Sequence, residues 1–266
     1  MPPVDDGVAD DVVVDVPHDG VLRISLNRPH RLNALDDAAV NAIHHALDDA
    51  DRNPRHRVVL LQSVGRAFCS GFDMNDYNGD PETRGGAVAL VEQMNRLADI
   101  PLRLRSSRAV VVAAVRGQAV GGGFGLALGA DVLLVGQSAT FTLPQTRLGV
   151  LAAELGISYL LPRIVGLNRA AGLMLRGTTL DAAGAVSAGL AAEAWPDAEV
   201  EDVALRVAMD LCTRSANALA STKRLLMAGV ESSNLATTVR HETDSQVLSN
   251  YSPELRTAIA DRVSGR

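Results

Sequence analysis

Two glycine-bearing segments carry the clearest chemistry in this chain: Gly65-Arg-Ala-Phe-Cys-Ser-Gly-Phe-Asp-Met74 and Arg116-Gly-Gln-Ala-Val-Gly-Gly-Gly123. Each follows directly on a short apolar run, Val58–Ser63 in one case and Ala109–Val115 in the other. Glycine lets a backbone N–H come close to a ligand, and a helix start aims partial positive charge at it. Two such N–H groups meeting at one point would stabilise a developing oxyanion. Tight turns and close-packed helix starts explain the same glycines equally well, and spacing alone does not separate the two readings. A dinucleotide site fits poorly. Residues 121–129 read G-G-G-F-G-L-A-L-G instead of G-x-G-x-x-G, and Asp131 comes far too early for the acid expected about 20 positions on.

Other reactive side chains are few. Of 25 basic residues 24 are Arg, so lysine chemistry would rest on Lys223 alone, and there is no G-x-x-x-x-G-K-[ST] loop. Cys69 has no histidine paired with it in sequence and reads as inert, and Cys69 with Cys212 gives no disulfide framework. His44 and His45 are adjacent and so lie on different sides of a helix, and H-E-x-x-H is absent, so no metal site is expected. Residues 1–20 hold six acids and no Lys or Arg, which accounts for the whole net charge of −6. The remaining neutral body, with no basic block, suits neither duplex nor other nucleic-acid binding. The start is acidic, unlike a secretory signal or an Arg-rich transit peptide, and no apolar stretch reaches membrane-spanning length. The expectation is a soluble cytoplasmic protein that does not bind a membrane.

The elements that must hold the two loops follow from periodicity. Val12–Val16 and Val21–Leu26 read as a hairpin around Pro17-His-Asp-Gly20. Pro29 fixes a loop, and Asp36 caps a helix to about Asp51. Buried strands are expected at 58–63 and 109–115, with further strands at 131–136 and 140–143. Helices are expected at 82–105 and from the triple glycine to Gly129. From Glu154 onward only helical patterns appear: 154–166, 168–176, 181–188, 200–213, 215–229, 234–249 and 253–262. Strands alternating with helices argue an α/β layer fold. Strand, glycine loop and helix occur twice, around 58–80 and 109–130, a weak internal echo. The division expected is an α/β core over 1–190, with 1–11 as a flexible acidic lead, and a helical region over 191–266.

Four stretches together resemble the crotonase (enoyl-CoA hydratase/isomerase) superfamily. They are Asn27-Arg-Pro-His-Arg-Leu-Asn-Ala-Leu35, the segment 65–74, Val115-Arg-Gly-Gln-Ala-Val-Gly-Gly-Gly-Phe124, and Leu148-Gly-Val-Leu-Ala-Ala-Glu-Leu-Gly-Ile-Ser-Tyr-Leu-Leu-Pro-Arg163. Order and spacing agree over about residues 12–190; the C-terminal helices match more loosely, through Thr222-Lys223 and Pro253-Glu254. The resemblance implies a spiral core of repeated ββα units with a helical trimerisation region, assembled as a trimer or a dimer of trimers. It implies an acyl-coenzyme A thioester as substrate, with no cofactor beyond the coenzyme A the substrate carries. The thioester oxygen would accept from the N–H groups of Phe72 and Gly122. Arg28 and Arg31 would meet the CoA phosphates, and Leu32, Ala34, Ser70, Asp73, Met74, Gly121, Gly125 and Gln145 would surround the substrate, Asp73 mainly by holding its loop.

The acid–base positions depart from the family. The two places where hydratases carry glutamates hold Gly125 and Gln145, which cannot take a proton at neutral pH. A third place, in Ala152-Ala-Glu-Leu-Gly156, holds Glu154 and resembles the acid of dienoyl-CoA and single-carboxylate Δ3,Δ2-enoyl-CoA isomerases. Glu154 reads as a first-turn residue in an apolar setting, where burial would raise its pKa and a helix start would lower it. One carboxylate suits a 1,3-proton shift better than hydration. A catalytically silent acyl-CoA-binding paralogue is the alternative. Gly125 removes a side chain from beside the pocket, so the expectation is room for a bulkier acyl group.

Overall fold

The structure is a computed structural model and describes residues 10–74, 85–249, 251 and 259–260. Residues 1–9 of the acidic lead, the start of the helix predicted from 82, and all but two residues of the helix predicted over 253–262 lie outside that set.

Three apolar runs dictate the centre of the molecule. The hairpin β1 (Val12–His18) and β2 (Val21–Leu26) leads through a loop to α1 (Asp37–Arg52), capped by Asp36 Oδ1, which accepts from Ala39 N at 2.8 Å. Then come β3 (Val58–Ser63), β4 (Ala67–Cys69), α2 (Gly86–Ser106), β5 (Val110–Val115), β6 (Gln118–Val120), α3 (Gly122–Leu128), β7 (Val132–Gly136) and β8 (Thr140–Thr142). A 3-10 turn at Gln145–Leu148 precedes α4 (Ile157–Val165) and α5 (Leu167–Arg176). The remainder is β9 (Thr179–Asp181), α6 (Ala182–Ser187), β10 (Glu193–Trp195), α7 (Val200–Cys212), α8 (Ala216–Glu231) and α9 (Leu235–Ser249).

Two sheets result. The larger has the order β1-β2-β3-β5-β7-β10 and is parallel apart from the hairpin; the smaller has the order β4-β6-β8-β9. The successive pairs β3/β4, β5/β6 and β7/β8 each give one strand to each sheet, so the internal echo is a spiral of repeats. The larger sheet is covered on both faces, which is why its strands are continuous apolar runs instead of alternating ones. Leu22, Ile24, Val59, Leu61, Val111 and Ala113 enter the main core with α1 and α2, while Val58, Leu60, Val112 and Leu134 pack against Val200, Val203 and Ala204 of α7.

Strand β10 pairs in parallel with β7, and α7 covers the sheet, so the α/β body runs past residue 190. Strands β4, β6, β9 and β10 are three residues each, too short for periodicity to reveal; the stretch after Glu154 is therefore not purely helical. Among the described residues no helix is long and apolar enough to cross a membrane.

Candidate active site

The first glycine loop leaves β4 at Cys69 and is stitched to residues 32–35. Ser70 N donates to Leu32 O at 3.0 Å, Leu35 N to Gly71 O at 2.8 Å and Asp73 N to Leu35 O at 2.9 Å. This is a parallel bridge between Leu35 and Phe72. The bridge uses Gly71 O and Asp73 N, which turns the Phe72 amide to the opposite side, where the second glycine loop lies. Gly71 has φ +93°, and a Cβ there would sit 2.8 Å from Val120 O and 3.2 Å from Gly122 N. Only glycine permits both that backbone and that approach. Across the gap, a Cβ on Gly122 would lie 3.7 Å from Phe72 N. The backbone of Phe72 and that of Gly122 are thus neighbours across the gap between the two loops.

Arg28 fastens this loop. Its guanidinium is only 12% exposed and faces Asp11 at 3.4 Å, Asp36 at 2.8 Å and Asp73 at 3.3 Å, while Nη1 donates to Ala34 O at 2.6 Å. Three carboxylates thus engage Arg28, the residue expected at a CoA phosphate. Arg31 is 45% exposed, with Nε 3.8 Å from Asp73, and keeps a face for a ligand. The carbonyls of Leu32 and Ala34 are likewise engaged within the protein, and Asp73 holds the loop. Asn33 was not singled out from sequence. It is buried in left-handed backbone at φ +55°, accepts from Arg28 N at 2.7 Å, and donates to Val64 O and Ala67 O, each at 2.8 Å. Asparagine's tolerance of that backbone region was the available signal.

Glu154 lies beside the second loop. Its Oε1 accepts from Gln145 Nε2 at 2.7 Å. Gly121, at φ +52°, passes beneath both side chains: a Cβ there would be 2.9 Å from Gln145 Nε2 and 3.4 Å from Glu154 Oε1. Glu154 is not in the first turn of α4. It precedes the helix by three residues, and its carbonyl accepts from Ile157 N at 2.8 Å. Burial dominates and raises its pKa, and the Gln145 hydrogen bond opposes this by stabilising the ionised form.

Gly125 does not open the pocket. A Cβ at that position would lie 2.8 Å from Leu155 Cβ and 3.5 Å from Ile157 Cδ1, so the following residues already fill the space. The expectation of room for a bulkier acyl group there is overturned. Ser70 is half-buried, and Met74 is 70% exposed at the edge of the described loop.

The remaining reactive candidates sit elsewhere. Lys223 Nζ is buried and shared among Asp131 Oδ2 at 2.7 Å, Leu104 O at 2.7 Å and Ala109 O at 2.8 Å, partners that make it a structural post. Burial drives the Cys69 thiol up to about 12, far from a nucleophile's range. Among the described residues no three His, Cys, Asp or Glu side chains cluster as metal ligands would.

Residues 17–257 match the family model described as Enoyl-CoA hydratase/isomerase. The chain belongs to that family. A Mycobacterium leprae protein named "Probable enoyl-CoA hydratase" is 35% identical over 242 residues, covering 90% of this chain and 82% of that protein. The 1,2-epoxyphenylacetyl-CoA isomerase of Escherichia coli is 35% identical over 243 residues, 91% of each chain. Among solved structures, an enoyl-CoA hydratase from Polaromonas superposes with TM-score 0.89 at 27% identity, covering 96% of this chain and 97% of that one. The spiral of strand pairs is thus the crotonase fold of the enoyl-CoA hydratase/isomerase family.

Proposed function

We propose that this member of the family is an acyl-CoA isomerase working through one carboxylate. The N–H groups of Phe72 and Gly122 hold the thioester oxygen, and Glu154 carries the proton. Taking a proton from the carbon next to a thioester sends the C–H electron pair toward the carbonyl oxygen as an enolate. Each preorganised N–H facing that charge contributes on the order of 3 kcal/mol. Glu154 then returns the proton to another carbon of the conjugated system, and the charge collapses back, so the net result is a shifted double bond. The observation that carries this reading is the place of Glu154: among the described residues it is the carboxylate packed against Gly121 beside the amide pair, while Gly125 and Gln145 supply no acid at the other two positions. Burial keeps its pKa raised, toward the range a proton carrier needs. The relative named as an isomerase agrees with this reading, and those named as hydratases leave hydration as its competitor.

Arg31 is the side chain proposed to meet a CoA phosphate. The enzyme is proposed to be soluble and cytoplasmic, to use no further cofactor, and to assemble as a trimer or a dimer of trimers through its C-terminal helices. Those helices bear Leu226, Val230, Leu235, Val239 and Leu248 exposed in the single chain. Sedimentation would read the assembly directly.

Purified protein offered 2-enoyl-CoA and 3-enoyl-CoA of several lengths tests the chemistry. Interconversion of the two, abolished in Glu154→Gln, is expected. Binding of both without turnover would establish the silent paralogue instead, and net addition of water would establish a hydratase.

A further inference from the structure

Gln145 stands where it does more than line the site. Its Nε2 donates to Glu154 Oε1 at 2.7 Å, yet its own Oε1 is buried and has no hydrogen-bond partner among the described residues. A buried acceptor left unpaired is costly and calls for an explanation. Gly121 leaves the amide its place, since a Cβ there would lie 2.9 Å from Nε2 and displace it. The terminal torsion of Gln145 is two-fold, and its N and O are alike in size. An N–H donor suits Glu154 as a carboxylate, whereas a protonated Glu154 presents an O–H that needs an acceptor. The idle atom of Gln145 is the one the protonated state requires.

We propose that Gln145 is a positioning residue that turns its amide by half a turn to follow the proton on Glu154, keeping a hydrogen bond to it in both states. The inference rests on the reading of Glu154 as the proton carrier. It explains how one carboxyl can hold a proton between two carbons without losing its orientation. No charged side chain contributes to the titration of Glu154. Arg147, on the same turn as Gln145, donates to Arg176 O at 3.1 Å; Arg163 of α4 lies over the Tyr159 ring at 3.5 Å; and α3 carries no titratable side chain.

Infrared difference spectra across an acid titration test this in the intact protein. The carboxylic C=O band of Glu154 is identified by its loss in Glu154→Gln. In the wild type that band is expected at lower wavenumber than in Gln145→Met, because the acid donates to Gln145 Oε1 only in the former. The same band position in both proteins would overturn the proposal. Should Gln145→Met fail to fold, the wild-type side-chain amide signal of Gln145 is followed by NMR. A shift with the midpoint of Glu154 supports the turn, and an amide signal unchanged through that midpoint overturns it. In turnover, Gln145→Met is expected to lower kcat roughly tenfold or more with little change in KM, since misplacing a catalytic group costs rate before binding. Full activity of Glu154→Gln would remove the catalytic reading while leaving the spectroscopic test intact, so the two failures are distinguishable.

Discussion

Leu155 occupies the space that a side chain on residue 125 would need. The two residues are locked together, because a Cβ on Gly125 would lie 2.8 Å from Leu155 Cβ, and Leu155 itself sits in left-handed backbone at φ +50°. Leu155 follows Glu154 directly, so this contact also sets where the carboxylate lies. Gly125→Ala is expected to destabilise by about 1–3 kcal/mol through overpacking. Leu155→Gly empties a core position and costs stability by itself, but the two changes together should cost less than the sum of the singles, since glycine removes the opposing Cβ and favours positive φ. Thermal unfolding of the two single variants and the double variant measures the coupling; strict additivity would show that the two positions do not compete for space.

Arg28 joins three carboxylates that are far apart in sequence, and one of them, Asp73, follows Phe72. Arg28→Ala is expected to cost about 3 kcal/mol of stability, because it leaves partly buried carboxylates facing one another. Activity should fall as well, with the Phe72 amide no longer fixed. Chemical unfolding and steady-state kinetics check the two effects separately.

Lys223 and Asp131 form the other interior ion pair, with Lys223 also holding the carbonyls at the end of α2 and before β5. Burial lowers the pKa of Lys223 and raises that of Asp131, and their mutual attraction opposes both shifts. Lys223→Ala should destabilise by about 3–5 kcal/mol through an uncompensated buried charge. Lys223→Met with Asp131→Asn should cost less. Denaturant midpoints of these variants decide the matter.

Cys69 is fully buried, its thiol pushed up to about 12. Alkylating reagents should leave it unmodified in the native protein at neutral pH and label it only after unfolding, as mass spectrometry would show. Rapid native labelling would mean that the first glycine loop opens readily.

The long apolar strands, the capped helix α1 and both glycine loops were legible in the sequence because each carries a local pattern: β-branched runs, an Asp at a helix start, glycine after a strand. What was not legible depends on distant partners. Arg28 reads as a cation for a CoA phosphate until Asp11, Asp36 and Asp73 are folded around it. Gly125 reads as an open pocket until Leu155 fills it, and Lys223 reads as a helix residue until Asp131 meets it. The three-residue strands β9 and β10 are specified by the neighbours they pair with, not by any pattern of their own.

The pH dependence of stability follows from Glu154. Its folded pKa is raised above the usual 4.5 by burial, so the folded state holds the proton more tightly than the unfolded chain. That stabilisation is complete below 4.5 and is lost as the pH rises through the raised folded value, leaving the ionised group a burden at neutral pH. Glu154→Gln should therefore melt higher than the wild type at neutral pH, with the gap closing as the pH falls through the raised folded value towards 4.5. Melting curves across the pH range read this sign.

Proton exchange with solvent tests the role of Glu154 most directly. The protein is incubated in deuterated water with 3-enoyl-CoA, and deuterium entering the carbons next to the thioester and at the far end of the double bond is followed by NMR. The wild type is expected to exchange these positions, and Glu154→Gln to do so roughly 100-fold or more slowly. Equal exchange by the two proteins would contradict the assignment of Glu154 as the proton carrier.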